Sequence, residues 1–193
     1  MHIFVKTLRR ATFFVAVCAA LAVAAAPSSA RADDYADVSK LASAGQLSQA
    51  LAKADSYLAG KARDPQMRFI KGVILTEMGR SADAMNIFQQ LVEDYPELPE
   101  PYNTLAVLYA AQRQFDKARA SLELAIRSNP AYATAHENLG DIYLQLASQS
   151  YSQALQLDAS KTGLAPKLAM IRSIVGADPS ASPARTPTKP AAP

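Results

Sequence analysis

The chain has 193 residues, 50% of them hydrophobic and 19% charged, with a formal net charge of +3 and one cysteine, Cys18. The positive balance sits in the first 32 residues: Lys6, Arg9, Arg10 and Arg31 lie there with no acid, and the remainder has 16 basic against 17 acidic groups. Nucleic-acid binding, which needs a concentrated basic footprint, loses its main support, and beyond residue 32 there is no cysteine for disulfides or thiolate metal sites.

Taken in chain order, the basic start leads into an almost unbroken apolar run over 11–26, and Ala30-Arg31-Ala32 offers small residues to a signal peptidase. Residues 1–32 are therefore predicted to be a removable secretory signal, with Asp33 as the mature N-terminus. An alanine-rich run of this length falls short of the roughly 20 residues that cross a bilayer. Val17 before Cys18 stands where a lipid-attachment site wants a small residue.

From residue 33 the chain repeats itself. Ala50, Ala84 and Ala118 stand 34 residues apart, as do Leu41, Leu75, Tyr109 and Tyr143, and so do Val38, Gly72, Ala106 and Gly140. Three tracks in one register mark a repeat architecture. Within one unit, Tyr102, Leu105, Ala106 and Tyr109 share a helix face, and so do Ala118, Leu122, Ala125 and Ile126, with Asn129-Pro130 ending the second run. The break at 113–115 leaves room only for an antiparallel hairpin. Short helices must pack closely to be stable, so Ala106 and Ala118 are placed where the two touch, and neighbouring hairpins must cover one another's apolar faces.

The second unit has Arg68 and Lys71 at its first-helix packing positions, which predicts a first helix that is displaced or less tightly held. In the fourth, Ala154 lies 36 residues from Ala118, which predicts a hairpin with two extra residues around 147–150. Leu164, Leu168, Ile171 and Val175 form a narrower stripe, read as a closing helix over the last repeat. The domain reading is thus a signal over 1–32, a solenoid over 33–177 and a Pro-rich, disordered tail over 178–193, where five of the twelve prolines fall.

Catalytic chemistry is nearly absent from the pattern. His136 is the only histidine after residue 32 and stands at an aromatic packing position, so it is expected to be structural. The seven glycines are scattered, with no phosphate-cradling cluster. The sequence predicts no enzyme, no cofactor and no metal site, and no membrane insertion once the signal is removed; the oligomeric state stays open.

Tyr102, Leu105, Ala106, Tyr109, Ala118, Leu122, Ala125 and Pro130 together resemble the tetratricopeptide repeat unit at all eight of its favoured positions. The resemblance covers roughly 35–160 and extends to small secreted bacterial members of that family. It implies an all-α, right-handed α-solenoid of about four helix pairs plus the closing helix, and a protein–protein interaction scaffold in the periplasm whose partner is a segment of another envelope protein. It implies a groove on the first helices formed by Phe69, Val73, Thr76 and Glu77, by Asn103, Val107 and Ala111, and by Thr134, Glu137 and Asp141, with Tyr35 and Ser39 extending it. The chaperone-binding clamp of the family wants lysine, asparagine and arginine at groove positions that here hold Tyr35, Ser39, Gln66, Phe69, Val73 and Glu100, so that subtype is not matched. A groove of this makeup suits a mildly basic, partly apolar segment.

Overall fold

The computed structural model describes residues 28–177, which form eight α-helices: α1 (Ser28–Ser43), α2 (Leu47–Gly60), α3 (Pro65–Glu77), α4 (Ser81–Asp94), α5 (Pro99–Ala111), α6 (Phe115–Ser128), α7 (Ala133–Leu157) and α8 (Leu164–Ala177). Most of the predicted signal, Cys18 included, and the tail over 178–193 lie outside the described residues. Successive helices pack in chain order, and α1 also touches α3 while α5 touches α7, so the described chain is an all-α helical repeat.

The first three hairpins turn by one device. Gly45 and Gly79 take φ of 74°, and Arg113, at the same place in the third unit, takes 60°. Each is followed by an N–H that reaches back five residues at 2.9 Å, from Gln46 to the Leu41 carbonyl, Arg80 to Leu75 and Gln114 to Tyr109. These clasps satisfy carbonyls that the end of a helix would otherwise leave unpaired. Glycine enters the left-handed region freely, whereas a side chain there costs on the order of 1 kcal/mol. Arg113→Gly is therefore expected to raise stability by about 1 kcal/mol in thermal melts. A melt that falls instead would show that the Arg113 guanidinium, 5.8 Å from the Phe115 ring centre, offsets the strain.

The fourth unit departs from the sequence expectation. The next place in this series is Ala147, and there the chain does not turn: α7 runs unbroken for 25 residues to Leu157. Alanine is the best helix former, costs more than glycine in the left-handed region, and has no glycine or proline after it before the helix ends. The fourth hairpin predicted around 147–150 is replaced by one long helix. The closing helix α8 packs on it, burying Leu168 and Ile171.

The second unit also corrects its reading. Helix α3 is held firmly, with Met67, Gly72, Ile74 and Leu75 buried. Arg68 and Lys71 are each paired with a carboxylate at the surface, Asp94 at 2.5 Å and Asp55 at 2.7 Å, so their stems pack in the stack while their charges are compensated. Three clusters run along the stack: Val38, Ala50, Ala54, Met67 and Ile74; then Leu75, Ala84, Phe88, Leu91, Leu105 and Leu108; then Ala106, Phe115, Ala118, Leu122, Ala125, Ala135 and Ile142. The repeated alanines are fully buried, as the register requires.

Candidate partner-binding groove

The residues assigned to the groove divide into those that hold the stack and those that are offered to solvent. Glu77 and Ala111, at the last turns of α3 and α5, are exposed, as are Glu137 and Asp141 on α7. Val107 and Thr134 are half-buried. Phe69 and Val73 are half-buried against the middle cluster, and the Phe69 ring meets Phe88 at 5.4 Å and 64°, an edge-to-face contact. Thr76 Oγ1 donates to the Gly72 carbonyl at 3.0 Å, which ties it to its own helix.

Asn103, a groove residue by its register, is only 3% exposed. Its side-chain oxygen accepts from Asn138 Nδ2 at 2.8 Å, which fastens α5 to α7. A buried amide needs such a partner, because leaving it unpaired costs about 1–3 kcal/mol. Asn103 therefore cements the stack beneath the groove. Asn138 escapes a reading by period because it lies 35 residues from Asn103, one step off the repeat.

Tyr35 is also committed. Its hydroxyl donates to Asp64 Oδ2 at 2.5 Å, Tyr57 donates to the same oxygen at 2.9 Å, and the two phenols lie 3.0 Å apart. Asp64 Oδ1 accepts from the Met67 N–H at 3.0 Å and so caps α3, where Pro65 fills the first position that needs no N–H donor. Burial, the largest single influence, pushes the Asp64 carboxyl up, but the hydrogen bonds from Tyr35, Met67, Tyr57 and Gln66 together hold it below its ordinary value of 3.8. Burial and the bond to Asp64 drive the Tyr35 hydroxyl well above the usual phenol range.

A folded-state pKa below the unfolded one contributes stability above the unfolded value and loses it as pH falls through the folded one. Asp64→Asn keeps a capping side chain but removes the charge, so it is expected to cost on the order of 1 kcal/mol at neutral pH. That gap should close on acidification below about pH 4. Melts of both proteins across that range provide the check, and a gap independent of pH would rule the charge out.

His136, expected as a packed residue, is exposed instead, and its Nε2 donates to the Pro130 carbonyl at 3.0 Å, tying the first turn of α7 to the preceding loop. Among the described residues no group of three or more histidine, cysteine or carboxylate side chains is placed to hold a metal ion, and no helix is long and apolar enough to cross a membrane.

A stack of antiparallel helix pairs, clasped at one period and presenting its first helices in series, defines a helical-repeat protein. The chain belongs to the tetratricopeptide repeat family: one family model described as tetratricopeptide repeat matches residues 29–99 and a second matches 75–139. It is 27% identical over 139 residues to the chloroplastic tetratricopeptide repeat domain-containing protein PYG7 of Arabidopsis thaliana, covering 63% of this chain and 46% of that protein. The chain thus spans a little under half the length of this curated relative. Among solved structures it resembles a thermophilic tetratricopeptide repeat protein of Thermus thermophilus, with a TM-score of 0.55 and 24% identity over 75% of this chain and 82% of that one. It also resembles MamA from Desulfovibrio magneticus RS-1, with a TM-score of 0.54 and 19% identity over 77% and 87% of the two chains. These likenesses carry the fold alone.

Proposed function

We propose that the protein is a non-enzymatic scaffold, exported to the periplasm, that holds a basic, partly apolar segment of another envelope protein against its first helices. The observation that carries this reading is the exposure of Glu77, Glu137 and Asp141 on the same series of helices that holds half-buried Phe69, Val73 and Val107. Acidic groups at the rim would steer a basic segment, and the apolar residues between would hold it. The export signal read at the start of the sequence supports the location.

The test is capture of partners from envelope extract, followed by affinity measurement with Asp141→Ala. Truncating a desolvated contact costs about 2 kcal/mol or more, roughly a thirtyfold loss of affinity. Unaltered binding with an unaltered melt would move the partner to another face. A second reading makes the protein an accessory subunit of a cell-wall or cytochrome-maturation enzyme complex, or an assembly factor tethered by an uncleaved signal. Copurification of such an enzyme supports the former, and a mature chain starting at Met1 the latter.

A further inference from the structure

The repeat is not filled evenly on the side of its second helices. In the third unit the half-buried ring of Tyr109 lies between α4 and α6: Gln89 Nε2 donates to its hydroxyl at 3.1 Å, and the Lys117 ammonium stands 5.5 Å from its ring centre. One period earlier the same position holds Leu75, too short to reach so far. There a cleft of about 240 Å³ opens to solvent, lined by Leu51 and Asp55 of α2, Lys71 and Leu75 of α3, and Asp83 and Ile87 of α4. Leu51, Asp55, Leu75 and Asp83 stand one period before Met85, Gln89, Tyr109 and Lys117. The cleft is therefore the place of Tyr109 repeated without its ring. Lys71 and Leu75 lie about half a turn around α3 from Phe69 and Val73, which separates this site from the groove on the first helices.

We propose that the cleft takes a tyrosine side chain from a segment of a partner protein, in the role that Tyr109 plays one unit further on. Its volume is below the roughly 300 Å³ at which small-molecule sites begin, and suits a single side chain. Leu51, Leu75 and Ile87 offer the ring an apolar wall. Asp55 stands where Gln89 donates to Tyr109, and a carboxylate only accepts, so the guest hydroxyl would donate to it. The pair that Asp55 makes with Lys71 at 2.7 Å uses one of its oxygens, and a carboxylate has capacity for more. Arg80, paired with Asp83 at 2.6 Å, adds a second cation to the lining beside Lys71. Two cations against two carboxylates leave no net charge to select an ionic guest, which favours a neutral phenol.

Nuclear magnetic resonance titration of the whole protein with a capped Gly-Tyr-Gly peptide tests this. The expected result is a saturable shift of amide signals around Asp55 and Ile87, half complete on the order of 1 mM, as suits so small a guest. The matching Gly-Phe-Gly peptide should bind about fivefold more weakly or worse, for want of the hydroxyl. Leu75→Tyr should abolish binding, because the chain's own ring then fills the cleft as it does in the third unit. Leu75 is buried, so a second variant guards against misfolding: Asp55 is exposed, and Asp55→Ala, which loses a surface pair of small worth, should remove the preference for tyrosine over phenylalanine. Melts of both variants confirm that they are folded.

A titration without saturable shifts overturns the proposal, as does binding that a folded Leu75→Tyr protein retains. Equal affinity for the two peptides, or a preference that survives Asp55→Ala, overturns the hydrogen bond and with it tyrosine as the guest. Free tyrosine binding more than about tenfold more tightly than the capped peptide would make the cleft a small-molecule site instead of a docking site. Tyr143 holds the same repeat position and is 50% exposed, so self-association of the purified protein that Tyr143→Ala abolishes would replace the partner by a second copy. Asp141→Ala, which tests the groove, should leave the peptide titration unchanged.

Discussion

Replacing Phe88 with alanine is expected to cost about 3–5 kcal/mol, a large share of the stability of a domain this size. The ring is fully buried in the middle cluster and meets Phe69 edge to face. It also fills the space that a side chain at residue 72 would need: a Cβ built on Gly72 would lie 2.6 Å from Phe88 Cζ and 2.8 Å from Cε1. Gly72→Ala should therefore cost about 1–3 kcal/mol by forcing the ring aside. In a Phe88→Leu background that cost should shrink, since residues in contact are energetically coupled. Gly140 supplies the control. It occupies the same repeat position, but a Cβ there meets nothing within 4 Å, so alanine should stabilise α7 by up to about 1 kcal/mol. Chemical denaturation of these variants gives the comparison, and equal effects at 72 and 140 would contradict this packing.

Ala118→Leu is expected to cost about 1–3 kcal/mol through overpacking. Ala118 is fully buried and belongs to one cluster with Ala106 and Leu122, where α5 and α6 meet. Three added carbon atoms must push the helices apart or force strained rotamers. A melt unchanged by this substitution, in a protein that is otherwise folded, would place the helix contact elsewhere.

The recurring small positions are legible without the structure because the period of 34 is strict through the first three units, and close helix contact needs a small residue wherever it recurs. The fate of each groove residue is harder to read. A first-helix residue at a groove position can point to solvent, as Asp141 does, or lean into the stack, as Phe69 and Asn103 do, and which occurs depends on side chains in other units. Phe69 turns inward because Phe88 offers it a ring edge, and Asn103 because Asn138 offers it a donor. Arg68 and Lys71 look like defects in the repeat, yet they are accommodated because Asp94 and Asp55 stand within range to pair with them. The long helix has a local signal: at Ala147 the residue that should enter the left-handed region is one that resists it.

The clasps at Gly45, Gly79 and Arg113 have a kinetic consequence. Each hairpin is closed by bonds between residues five apart, so a pair of helices can assemble before any distant part of the chain arrives, and a fold built of such local closures has a short search. Helix α8 stands outside this scheme, since no clasp joins it to α7 and its packing is against that helix. Opening it breaks a single helix contact and leaves the three clasped hairpins intact, so amide exchange should be fastest at this end of the stack and slowest through α3 to α6. The surface with the most exposed apolar side chains is then also the one with the least holding it in place.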